Sequence, residues 1–111
     1  MTFDAALADR VRELVGSQEG ITEKRMFGGL AFLVHGNMAV SASGAGGLLL
    51  HVHPDATDEL ATRPHATVAV MRGREMRGWL RVESPGLRTR QQLEKWVTIG
   101  VDHARSLPPK G

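Results

Sequence analysis

Apolar residues recur at helical spacing at Phe3, Leu7, Val11, Leu14 and Val15, with Asp4, Asp9, Arg10, Arg12 and Glu13 between them. That period predicts an amphipathic opening helix, with Asp4 as N-cap or first-turn acid and Gly16 as its stop. From residue 21 the period shortens to two. Leu30, Phe32 and Val34 alternate with Ala31 and Leu33, and Met38, Val40 and Ala42 alternate with Ala39, Ser41 and Ser43. Between these runs His35-Gly36-Asn37 has hairpin-turn chemistry, because Gly and Asn tolerate positive φ. After the flexible residues 44–47, Leu48, Leu50 and Val52 form one face of a further strand and Leu49, His51 and His53 the other. Connections this short allow antiparallel pairing only.

Pro54 ends that strand, and residues 55–62 read as a short helix capped by Asp55, with Leu60 buried. Residues 67–71 return to strand, a basic loop follows, and residues 79–83 complete a hairpin. The final helix is the clearest element. Thr89 and Gln92 fit a capping box. Leu93, Trp96, Val97, Gly100, Val101, Ala104 and Leu107 then form one apolar stripe, which Pro108 and Pro109 terminate. Segregated strands and helices predict an α+β fold. It is an antiparallel sheet of five to six strands, with N-terminal and C-terminal helices and one short internal helix packed on it, all in a single domain spanning 1–111.

Composition removes several classes of function. There is no cysteine, which excludes disulfides, thiolate metal sites and cysteine nucleophiles. No apolar run approaches the roughly 18 residues of a membrane span. The N-terminus lacks the apolar core of a signal peptide, so the expected compartment is the cytoplasm. Charge is dipolar along the chain: residues 1–59 carry four basic residues against eight acids, and residues 60–111 carry ten against four. Such asymmetry fits either an anionic partner or two halves that attract each other in the fold.

The most unusual stretch is 71–81, in which Met-Arg-Gly occurs twice. Arg72, Arg74, Arg77, Trp79 and Arg81 form the candidate partner surface. If Leu80 and Val82 face the core, alternation sends Trp79 and Arg81 to the other face. Trp and Arg are the residue types most enriched in binding hot spots. A Trp beside arginines also suits stacking on a nucleic-acid base. A solvated hairpin with its Trp under an Arg stem explains the same residues. His51 and His53, two apart on a strand, could share a metal ion, with His65 or Asp55 added, but no helical ligand motif supports them. Residues 43–47 lack the Gly-Lys-Ser/Thr ending of a P-loop. Ser41, Ser43 and Thr22 lack a nucleophile-elbow setting. Glu75 and Glu83 stand without a base or orienter. No catalytic, cofactor-binding or metal-binding set is assigned.

Arg25-Met26-Phe27-Gly28-Gly29 forms a glycine-rich turn between the first two strands, with Phe32, Gly36 and Met38 following. This element resembles the TfoX/Sxy family, specifically its N-terminal domain. Met76-Arg77-Gly78-Trp79 and the closing Leu93, Trp96, Ala104 and Ser106-Leu107-Pro108-Pro109-Lys110 extend the resemblance over nearly the whole chain. It implies a small α+β fold and a regulatory, non-catalytic role. Named members regulate natural competence together with a cyclic-AMP-responsive transcription factor. Longer members carry a second domain of helix-hairpin type, which is not expected within these 111 residues. The expected function is a cytoplasmic regulatory or protein-interaction domain without cofactor. Its partner is a transcription-related protein or a second copy of the chain, and not a membrane. Two alternatives stay open: a weak nucleic-acid binder using the hairpin 72–81, and a small enzyme or metal protein using His51 and His53.

Overall fold

The structure is a computed structural model that describes residues 4–26, 28–44 and 46–109. Helix α1 spans Ala5–Val15 and begins where the Asp4 carboxylate accepts from the Leu7 N–H at 3.1 Å. Strands β1 (Ile21–Met26), β2 (Gly29–Val34), β3 (Asn37–Ala42) and β4 (Leu48–His51) follow as an antiparallel meander. A 3-10 turn, Pro54–Ala56, leads into the short helix α2 (Thr57–Leu60). Strands β5 (Ala66–Met71) and β6 (Arg74–Val82) form the second hairpin. A further 3-10 turn, Ser84–Leu87, precedes helix α3 (Arg90–Ser106). The fold is therefore α+β, with a six-stranded antiparallel sheet in the order β1-β2-β3-β4-β6-β5.

The apolar stripes of the helices meet one face of the sheet. Val11, Val15, Phe32, Val34, Val40, Leu48, Leu50, Leu80, Val82, Leu93, Trp96 and Val101 belong to a single buried core. Helix α3 crosses β3 closely enough that a Cβ on Gly100 would lie 2.6 Å from the Ala39 carbonyl oxygen. The capping box is formed: Thr89 Oγ1 accepts from the Gln92 N–H at 3.1 Å and Gln92 Oε1 from the Thr89 N–H at 2.9 Å. The Arg10 guanidinium donates to the Leu87 carbonyl at 2.8 Å, tying α1 to the turn before α3.

Several expectations change in detail. The continuous alternation expected of Met38, Val40 and Ala42 is broken by a register shift between Phe32 and Leu33. The extra residue of a bulge turns one strand over relative to its neighbour. Met38 thereby pairs with Leu33, and it is buried outside the helix-covered core. The cap expected of Asp55 falls instead to His53, whose Nδ1 accepts from the Asp55 N–H at 3.0 Å. Helical turn begins at Pro54 because a missing N–H costs nothing at the first position. The expected basic loop is mostly strand: Arg72 and Gly73 alone form the turn, both with positive φ, and β6 starts at Arg74. Phe3, Phe27 and Lys110 lie outside the described residues.

Candidate interaction surface

Register places Leu33, Met38, Leu49, His51, Trp79 and Arg81 on the face of the sheet opposite the core. The alternation expected around Trp79 is observed, with Leu80 and Val82 fully buried in the core. The end of α3 reaches this face, where His103 meets the His51 ring. On this face a groove of about 580 Å³ opens, lined by residues of five strands and of the segment after α3, among them Met26, Leu33, Met38, Trp79, Leu107 and Pro109. One wall is the segment after α3. It is fastened by buried Asn37, whose Nδ2 donates to the Pro108 carbonyl at 2.9 Å.

Trp79 is held by its neighbours. His51 stands opposite it across the β4–β6 pair, and the two rings stack with centroids 4.3 Å apart and planes 14° from parallel. His103 of α3 meets the His51 ring edge-on at 4.7 Å and lies 6.0 Å from the His53 ring. Burial and the nearby His53 hold the His103 imidazole below its ordinary pKa, burial being the larger cause. Sequence reading did not find His103. It lies 52 positions from His51, on the flank of an apolar stripe, and only the passage of the end of α3 by the end of β4 brings the two together. His53 lies beyond the end of β4, and His65 lies beside Gly86, at the start of β5. No group of three potential ligands suited to a metal ion occurs among the described residues.

The arginines of the hairpin have different environments. Arg72 occupies the turn with φ of 53°, and Arg72 and Arg74 are both exposed. Arg77 lies 3.5 Å from the Asp58 carboxylate. Arg81 is bound into the glycine-rich connection: it donates to the Gly46 carbonyl at 2.6 Å and to Ser43 Oγ at 3.2 Å, and it pairs with Glu83 at 2.9 Å. Four sheet residues thus run from an exposed cationic tip, through Trp79, to an arginine built into a loop.

The bend that separates tip from sheet is also built in. β5 and β6 lose register between Val68 and Val70, and Gly78 adopts φ of 93°. Its N–H donates to buried Thr57 Oγ1 at 2.8 Å, and its carbonyl accepts from the Val52 N–H at 2.8 Å. The turn between β1 and β2 is structural in the same sense. Gly28 has φ of 74°, and a Cβ on Gly29 would collide with the Ala42 carbonyl oxygen. Arg25 is exposed on β1, and Met26 reaches the groove.

An antiparallel sheet with its helices packed on one side and a groove beside Trp79 on the other defines a small α+β domain. The family model of the TfoX N-terminal domain matches residues 13–104. The chain belongs to that family. Comparison with curated proteins and with solved structures gave no match.

Proposed function

We propose that the chain is a non-enzymatic regulatory domain that acts by binding a transcription-related protein partner. The observation that carries this reading is Trp79. It is the residue type most enriched in hot spots. Stacking on His51 holds it in one orientation on the face opposite the core, beside the apolar groove. Such preorganisation lowers the entropic cost of association. The methionines of the groove, Met26 and Met38, are unbranched and polarizable and suit an adaptable apolar contact. Membership of the TfoX N-terminal domain family supports a regulatory role, with the cyclic-AMP-responsive transcription regulator of the same cell as the first partner to test.

Exposed Arg72 and Arg74 favour a second reading, contact with nucleic acid. The two differ in salt dependence, because phosphate contacts release counterions. The experiment is a variant with Arg72, Arg74, Arg77 and Trp79 all replaced by alanine, first checked for an unchanged melt. It is compared with wild type for binding to the purified regulator and to single-stranded and duplex DNA at two salt concentrations. A protein module loses the regulator with modest salt dependence. A nucleic-acid binder shows affinity that falls steeply with salt, by about one unit of logarithmic slope per arginine. A folded variant that keeps the regulator as well as wild type does removes this surface from consideration.

A further inference from the structure

The strand order leaves β1 and β5 as the two edges of the sheet. They differ in kind. β1 carries Glu23, Lys24 and Arg25 in succession, the sort of charge that keeps an edge from pairing. β5 reads Ala-Thr-Val-Ala-Val-Met, with no charge at all. Val70 is 61% exposed, and it and Met76 of the same hairpin are the exposed large apolar residues among those described.

The backbone of β5 points usable groups outward. The Glu83 N–H donates to the His65 carbonyl, so residue 65 faces β6. Alternation along an antiparallel pair then turns the N–H and C=O of Ala66 and Val68 away from β6. Beyond the register shift, the two-residue turn makes Met71 and Arg74 the closing pair, which turns Val70 outward in the same way. The Ala66 N–H is taken by the Arg63 carbonyl at 3.2 Å. Among the described residues no hydrogen bond reaches the outer groups of Val68 or Val70.

Both ends of this open edge are basic. At one end, Arg72 and Arg74 belong to no ion pair among the described residues. At the other, Arg63, His65 and Lys95 line a cleft beside the start of β5; Arg63 is paired with Glu59 at 3.3 Å, and Lys95 belongs to no ion pair among the described residues. Of the five arginines in residues 63–83, Arg63, Arg77 and Arg81 are paired with Glu59, Asp58 and Glu83, so the charge open to a new strand is concentrated on Arg72 and Arg74.

We propose that β5 accepts an extended acidic peptide segment of a partner protein as a seventh strand. Main-chain hydrogen bonds to Val68 and Val70 supply affinity, and the cationic groups at the two ends select acidic side chains, as in other strand-addition complexes. A second copy of this chain fits less well, because its β5 is itself uncharged and flanked by cations. The proposal rests on the protein-binding reading above, but it uses a different surface from the Trp79 groove.

The probe is a synthetic eight-residue peptide that alternates Glu or Asp with Val or Thr. Its control carries Gln or Asn at the acidic positions. Titration followed by amide chemical shifts and hydrogen exchange is expected to protect the Val68 and Val70 amides and to leave β1 unchanged. The neutral control is expected to bind at least about tenfold more weakly, as is the double variant Arg72→Glu, Arg74→Glu. Val68→Pro removes an outward donor without breaking a bond to β6, a position where an edge strand tolerates proline, and is expected to abolish binding. If that variant unfolds, protection of Val68 and Val70 in the wild type decides alone. The proposal is overturned by equal binding of the neutral peptide, by changes confined to the groove, by no binding at millimolar peptide, or by sedimentation showing two copies joined through β5. The groove variant Trp79→Ala should bind the peptide normally, so failure of either surface is read separately from failure of the other.

Discussion

His51 and Trp79 face each other across two strands that are 28 positions apart in sequence, with their rings stacked at 4.3 Å. Cross-strand aromatic pairs are worth about 0.5–1.5 kcal/mol beyond the area they bury. A double-mutant cycle with His51→Ala and Trp79→Ala, read by denaturant melts, should give a coupling energy in that range. Strict additivity would mean that the stack is incidental and that Trp79 is not held in place.

The bend at Gly78 predicts a cost for an almost isosteric change. Thr57→Val keeps shape but removes the acceptor of the buried Gly78 N–H. An orphaned buried donor costs about 1–3 kcal/mol, whereas Thr57→Ser should retain most of the stability. Thermal melts of the two variants test this. Equal stability would show that the hydroxyl does not fix the bend.

Gly100 sets two effects against each other. Alanine in a helix interior gains about 1 kcal/mol over glycine. Here its Cβ would approach the Ala39 carbonyl oxygen at 2.6 Å and Val40 Cγ1 at 2.7 Å. Overpacking of this kind costs about 1–3 kcal/mol, so Gly100→Ala should be net destabilising by denaturant melt. A gain in stability would mean that α3 can lift from β3 without penalty.

His103 contributes to the pH dependence of stability. Its pKa is lowered in the fold by burial and by His53, so the unfolded chain takes up the proton more readily. Stability then rises with pH wherever the unfolded state binds more protons. This contribution is complete above the ordinary histidine value of about 6.5 and is lost as pH falls through it towards the lowered folded value. Melts between pH 7.5 and 5 should show a loss that His103→Gln reduces. An unchanged slope in that variant would assign the dependence elsewhere.

Much of the fold is legible in the residues because local signals agree with the tertiary result. Thr89, Gln92 and the stripe from Leu93 to Ala104 define α3 by capping and period together, and Gly36 marks its hairpin by φ preference, although the second residue with positive φ is His35 and not Asn37, which opens β3. What escapes is where the regular period is broken. The β2–β3 bulge leaves no mark, since Met38, Ala39 and Val40 are all apolar and any register buries something. The shift at Gly78 hides inside a repeated Met-Arg-Gly, of which Gly73 serves a tight turn and Gly78 a bend. The candidate surface is legible in the same partial way. Trp79 and its facing follow from alternation, but its surroundings do not: His103, which meets the His51 ring, and the Pro108 carbonyl, bonded by Asn37, arrive from positions that no spacing encodes. Arg81 belongs to the arginine run in sequence, yet its bonds to Ser43 and Gly46 make it a loop support.

The central claim is that the sheet face opposite the core, not the outer side of the helices, meets the partner. The chain has no cysteine, so a single introduced thiol reports on one position. Leu33→Cys places it in the groove, and Thr98→Cys places it on the exposed side of α3. Alkylation rates are measured with and without a saturating amount of the cyclic-AMP-responsive transcription regulator. The account predicts slowing of at least about tenfold at position 33 and no change at position 98. Protection at 98 with position 33 unaffected would contradict it.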